Sequence, residues 1–277
     1  RKPLFKPSSG LLNFKKQVPQ WDIVQPFIES ANLSYTSIFK QVITLIRKSD
    51  RVLKYLGGDP MRWDWNRFRP LRLSREEDWS DWLAFLIERS NGSFNRLFLP
   101  HPDFLNADFT APRVEREVPM EGYRSDLIIK WVNNTADHIE VKVGDTSIEK
   151  TFGTSMAMKK KYGGKIRSWK DWILLLDFQL DSWEEVAISE GGKEEFTNVI
   201  ITPRIWMDVA ISIRKCLYEK LESCLWNAWG YAFAGSIESR LYNASKIENI
   251  NDKGNTFRIS SGIISQFTIL SRSMGNE

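Results

Sequence analysis

Asp126, Glu140 and Lys142 lie in one short stretch of the chain, and their types suit a single kind of chemistry. Two carboxylates held a few ångströms apart repel each other unless a cation sits between them. A hard divalent ion takes oxygen ligands, and Mg²⁺ typically uses one or two carboxylates, keeps several waters and engages phosphate. A protonated lysine beside the pair cannot ligate the ion. It can position a metal-bound water or help to deprotonate it, or offset charge growing on a phosphorane-like transition state. Metal, water and lysine together hydrolyse phosphodiesters.

Such convergence requires particular elements. From Val114 the hydrophobic period is two, with strands expected at about 114–119, 123–132, 137–143, 172–178 and 197–202. Alternation puts Leu127, Ile129 and Trp131 on one face of the second strand and Asp126, Ile128 and Lys130 on the other. On the third, Ile139, Val141 and Val143 form the apolar face, opposite Glu140 and Lys142. Folding the hairpin about Asn133-Asn134 so that both apolar faces reach one core puts Asp126 on the side of Glu140 and Lys142. Two registers satisfy this, one pairing Asp126 with Glu140 and the other with Lys142. A slip of one residue would bury the charges. The bland alternative is a solvated hairpin face with an Asp–Lys ion pair worth about a few tenths of a kcal/mol.

The order Pro119, Gly122, Asp126, then Glu140-Val141-Lys142 on the next strand, resembles the PD-(D/E)xK nuclease superfamily, the restriction-endonuclease-like fold. Six residues separate Pro119 from its Asp, so the literal Pro-Asp pair is absent. The resemblance covers about 75–202. It implies an α/β/α core with a mixed central sheet, the site on a central hairpin, and a helix on either side of the strands that carry it. It also implies Asp126, Glu140 and Lys142 as catalytic residues, with Asp126, Glu140 and Val141 holding Mg²⁺, for which Mn²⁺ would substitute. Many members place a further acid on the preceding helix, for which Glu88 is the positional candidate. The implied activity is metal-dependent cleavage of DNA in restriction or anti-phage defence, RNA not being excluded. A non-catalytic nucleic-acid-binding or assembly subunit with a vestigial nuclease fold is the alternative.

Around this core, Ser74-Arg75-Glu76-Glu77 reads as a capping box opening a helix over 75–90, with Trp79, Trp82, Leu83 and Leu86 on one stripe. A second helix is expected at 146–162. Residues 1–74 read as an extended arm to about 30 and then a helix over 33–56, stopped by Gly57-Gly58-Asp59-Pro60. Residues 203–277 read as mostly helical, with Trp206, Val209, Ile213, Leu217, Leu221 and Leu225 on one stripe and a terminal edge-strand pair within Phe257 to Leu270.

Secondary candidates are Lys159, Lys160 and Lys161, which suit phosphates or a solvated helix end, and Arg124, which suits the scissile phosphate or a local ion pair. Met61 to Arg69 interleaves arginines with aromatics, as a nucleic-acid contact or a loop folded onto the core. Asp145 is expected to cap the next helix rather than bind metal. His101 and His138 are the only histidines, and neither joins a Cys/His cluster.

Composition bounds the rest. The 277 residues carry a net charge of +4, which excludes a histone-like polycation; 42% hydrophobic and 27% charged residues exclude wholesale disorder. The 12 Trp and 16 Phe suit core filling first and base stacking second. Cys216 and Cys224, read as lying on one helix, would be about 12 Å apart and unable to bond. Free thiols, no membrane-length apolar run and no evident leader give a cytoplasmic expectation. No P-loop is present, so any ATP hydrolysis would fall to a partner subunit of a defence system. Cutting two strands usually takes two active sites, so a homodimer is expected, with the 205–225 stripe as its contact or as sheet packing.

Overall fold

The computed structural model describes residues 21–63, 65, 73–100, 112–120, 122–132, 134–144, 147–244 and 261–275. Its centre is a five-stranded mixed sheet in chain order: β1 (Arg113–Met120), β2 (Tyr123–Lys130), β3 (Thr135–Val141), β4 (Ser168–Leu175) and β5 (Ile201–Ile205). β1, β2 and β3 run antiparallel to one another, while β4 and β5 continue parallel to β3. A tight turn joins β2 to β3, with Asn134 at a φ of 60°. The parallel strands are joined through helices, α4 (Lys150–Tyr162) before β4 and α5 (Leu180–Gly191) before β5.

Helices cover both faces, so β3 is buried along its whole length. On one face Leu127, Ile129, Ile139, Val141, Trp172 and Leu174 pack with residues of α2 (Glu76–Arg89), α6 (Trp206–Glu219) and α7 (Cys224–Ser236). On the other, Ile173 and Leu175 meet Phe152 of α4 and Trp183 of α5, and Ile128 meets Met158 of α4. The result is an α/β chain with a mixed sheet between helical layers. The main core also draws on Val42 of α1 (Trp21–Val52), Phe94 of α3 (Ser93–Phe98) and Leu270 of α8 (Ser261–Ser273).

Several expectations change. α1 begins at Trp21, well inside the expected arm; Pro26 removes one backbone donor near the helix start without stopping it. The expected stop holds, with Gly57 left-handed at a φ of 99°. The run expected as an edge-strand pair is α8 from Ser261 on, because Ile263, Phe267 and Leu270 recur at helical spacing and pack on the core. The apolar stripe ends earlier than expected: Trp206, Val209, Ile213 and Leu217 are fully buried within the chain and offer no contact to a second copy, whereas Leu225 is exposed. Cys216 and Cys224 fall on two helices, α6 and α7, and both are free thiols. In the 61–69 segment, described only at 61–63 and 65, Trp65 is buried and donates its indole N–H to the Pro60 carbonyl at 2.7 Å. No helix among the described residues is long and apolar enough to cross a membrane.

Arg214 is fully buried on α6. It donates to both Asp59 oxygens at 2.8 and 3.1 Å, to Glu238 at 2.5 and 2.8 Å, and to the Tyr218 hydroxyl at 2.7 Å. This network joins α6 to the turn after α1 and to the π-helical turn that follows α7.

Candidate active site

Leu127 pairs with Ile139 and Ile129 with Asp137, and the same register carried one pair outward sets Asp126 opposite Glu140. Of the two registers the hairpin allowed, the fold takes this one. The Asp126 Oδ2 accepts the Val141 backbone N–H at 2.7 Å. The Val141 side chain points into the apolar core, so only its main chain is near the acids. Opposite Asp126 on the other side, β1 is distorted at Glu117, whose φ is 52° and whose flanking residues keep their partners. Such irregularities recur beside active sites.

Asp126, Glu140 and Lys142 line one polar cleft of about 330 Å³. Its other walls are Tyr123 and Arg124 of β2, Glu76 and Glu77 of α2, Ser147 before α4, and Lys150, Thr151 and Thr154 of α4. Glu140 is 5% exposed, so the acids do not lie on a solvated hairpin face. Burial, then the charges of Glu140 and Glu76, push the Asp126 carboxyl up to about 7, against the Val141 N–H and Lys142, which pull it down. Lys142 Nζ lies 4.0 Å from Glu76 Oε1. Gly153 of α4 makes room for Tyr123: a Cβ built there would meet the ring at 2.5 Å.

The preceding helix does bring an acid to the cleft, but it is Glu76 rather than Glu88. Glu88 is exposed, about 18 Å further along the axis of α2. The capping box also shifts by one residue. Asp78, not Glu77, reaches back, accepting from the Ser74 N–H and Oγ and the Arg75 N–H at 2.9, 3.1 and 2.9 Å. That leaves Glu76 and Glu77 to face the cleft.

Arg124 lines the cleft and is ion-paired, 2.7 Å from Glu117 and 3.5 Å from Glu77. Lys159, Lys160 and Lys161 are exposed in the last turn of α4, about 15 Å along the helix from Lys150, and none lines the cleft. Lys159 donates to the Asn198 carbonyl and Lys161 to that of Pro119. Asp145 and His101 lie outside the described residues.

His138, passed over in the sequence for want of a Cys/His cluster, is central here. Its Nε2 is 3.0 Å from Glu140 Oε1 and its Nδ1 is 2.8 Å from Asp171 Oδ1, with the Ser155 hydroxyl at 3.3 Å. Burial pulls its basicity down, but hydrogen bonds and charges of Asp171 and Glu140 outweigh it and push the ring up to about 9. The signal that could have found it is alternation along β3, which two residues before Glu140 puts His138 on the same side.

No family model, curated protein or solved structure matches the chain.

The donor set fits a hard divalent cation. It consists of the Asp126 and Glu140 carboxylates in a polar cleft, and Asp126 is held above the usual carboxylate range by burial and neighbouring acids that such an ion would relieve. Among the described residues no three His, Cys, Asp or Glu side chains group as a ready-made cage. One or two carboxylates completed by water is the usual Mg²⁺ arrangement, in contrast to zinc.

Proposed function

We propose that this chain is a Mg²⁺-dependent endonuclease of the PD-(D/E)xK type that hydrolyses phosphodiester bonds of DNA and serves in restriction or anti-phage defence. The observation that carries this reading is the convergence of Asp126 of β2, Glu140 of β3 and Lys142 just beyond the end of β3 on one polar cleft. Asp126 and Glu140 are the residues to hold the cation, with the main chain of Val141 beside them. When bound, the ion supplies a Lewis acid for the phosphoryl oxygen and an activated water.

The chain's own groups do the rest. Lys142, steadied by Glu76, presents its ammonium to the phosphate and offsets charge developing on it. Arg124 exchanges part of its pairing with Glu117 and Glu77 for a phosphate oxygen. Lys150 and the Thr151 hydroxyl, on the opposite wall, suit the neighbouring backbone.

The test is incubation of supercoiled and linear DNA with and without Mg²⁺. The wild type should cut only with the metal. Lys142→Ala and Asp126→Ala should abolish cutting while keeping the fold and most DNA affinity. Cutting by both variants at the parental rate overturns the reading.

A further inference from the structure

Under the cleft lies a pair of ionisable groups with no part in the chemistry above. His138 of β3 and Asp171 of β4 are direct partners in the parallel register, so their side chains leave the same face of the sheet. His138 is fully buried and Asp171 is 4% exposed. Carboxylate oxygens only accept, so a ring with one nitrogen on Asp171 and the other on Glu140 donates from both. Three buried charges in a row cost desolvation that apolar residues of the same volume would avoid. The ring engages Glu140 through Oε1.

We propose that His138 is a positioning residue: backed by Asp171, it fixes the Glu140 carboxylate so that its other oxygen is offered to the divalent cation, and the pair thereby sets the cation affinity of the site. The inference rests on the reading of the cleft as a cation site. Ligating carboxylates are commonly oriented by such partners, and loss of one typically weakens metal binding by about 10–100-fold. A pair that served only to pack the sheet would change melting and leave the affinity of the folded protein alone.

The experiment is calorimetric titration of the full chain with Mn²⁺, without nucleic acid, alongside thermal melting. Removing His138 alone would strand Asp171 as a buried charge with no role at the cleft, so the first variant is the double change His138→Leu with Asp171→Leu, which leaves only Glu140 without its partner. It should bind Mn²⁺ about 10–100-fold more weakly. A second comparison keeps the site polar: the amide N–H of His138→Gln still reaches Glu140 and should recover most of the affinity, whereas His138→Asn, one carbon shorter, should not. This comparison decides the matter if the double variant does not fold. Wild-type affinity in the folded double variant, or equal affinity in the Gln and Asn variants, overturns the proposal. If the wild type binds no Mn²⁺, the cation reading itself falls and this inference with it; wild-type binding unmoved by the variants removes this inference alone.

Discussion

Thr151 is 1% exposed on the cleft wall, and its hydroxyl has no hydrogen-bond partner in the protein. A buried unsatisfied hydroxyl costs stability, so Thr151→Val should melt at the same temperature or higher. If the hydroxyl serves the substrate, DNA cleavage by that variant should slow by about tenfold, the worth of one hydrogen bond. Unchanged cleavage kinetics would remove Thr151 from the site. Asp126 and His138 both tie stability to pH. Asp126 rises from 3.8 to about 7 in the fold, so the folded state holds a proton that the unfolded chain releases, and stability falls as pH rises between those values. His138 rises from 6.5 to about 9, so its contribution is whole below 6.5 and is lost as pH rises through 9. Melting temperature without divalent ions should therefore decline from pH 5 to 9. Asp126→Asn should flatten the lower part of that slope, and an unchanged slope in the variant would contradict the assignment. Asp126, Glu140 and Lys142 were placed on one face by alternation alone, because the strand period is short and both apolar faces had to share a core; the same parity extends to His138, which the sequence reading left out. Glu76 was not legible, since which end of a helix reaches a cleft depends on tertiary packing.

At the scale of elements, the β2–β3 hairpin and the body of α2 follow from sequence because each carries several turns or pairs of consistent pattern. α8 does not, since a short apolar run is as compatible with a buried strand as with a helix. α5 was missed for a related reason: of its residues only Trp183 is buried, so its apolar stripe is faint. The shifted cap of α2 matters more, because it sets where Glu76 stands. Asp78→Ala removes all three hydrogen bonds that close the helix. Unfolding in urea should show a loss of about 1–2 kcal/mol. DNA cleavage should fall further than that loss alone explains, since the frayed first turn carries the partner of Lys142. A variant with full activity would separate the cap from the site.

The whole molecule closes around Arg214, where segments distant in sequence are joined by one guanidinium shared between two carboxylates. Nothing local announces this: Asp59 reads as part of a stop signal, and Glu238 falls in a stretch whose pattern says only that it is mostly helical. Arg214→Met would leave both acids buried without a counter-charge, destabilising the protein by about 3–5 kcal/mol or more near neutrality. Burial already raises the Glu238 carboxyl, so acidification should restore part of the loss by protonating the orphaned pair. Denaturation midpoints at pH 5 and 7 check this, and an equal loss at both would count against it. A different kind of coupling follows from Gly153, whose missing methyl is the space that the Tyr123 ring fills. The two positions lie on separate elements yet divide one fixed volume, so descendants of a shared ancestor are bound to change them jointly: bulk gained at 153 must be surrendered at 123, or the wall of the cleft moves.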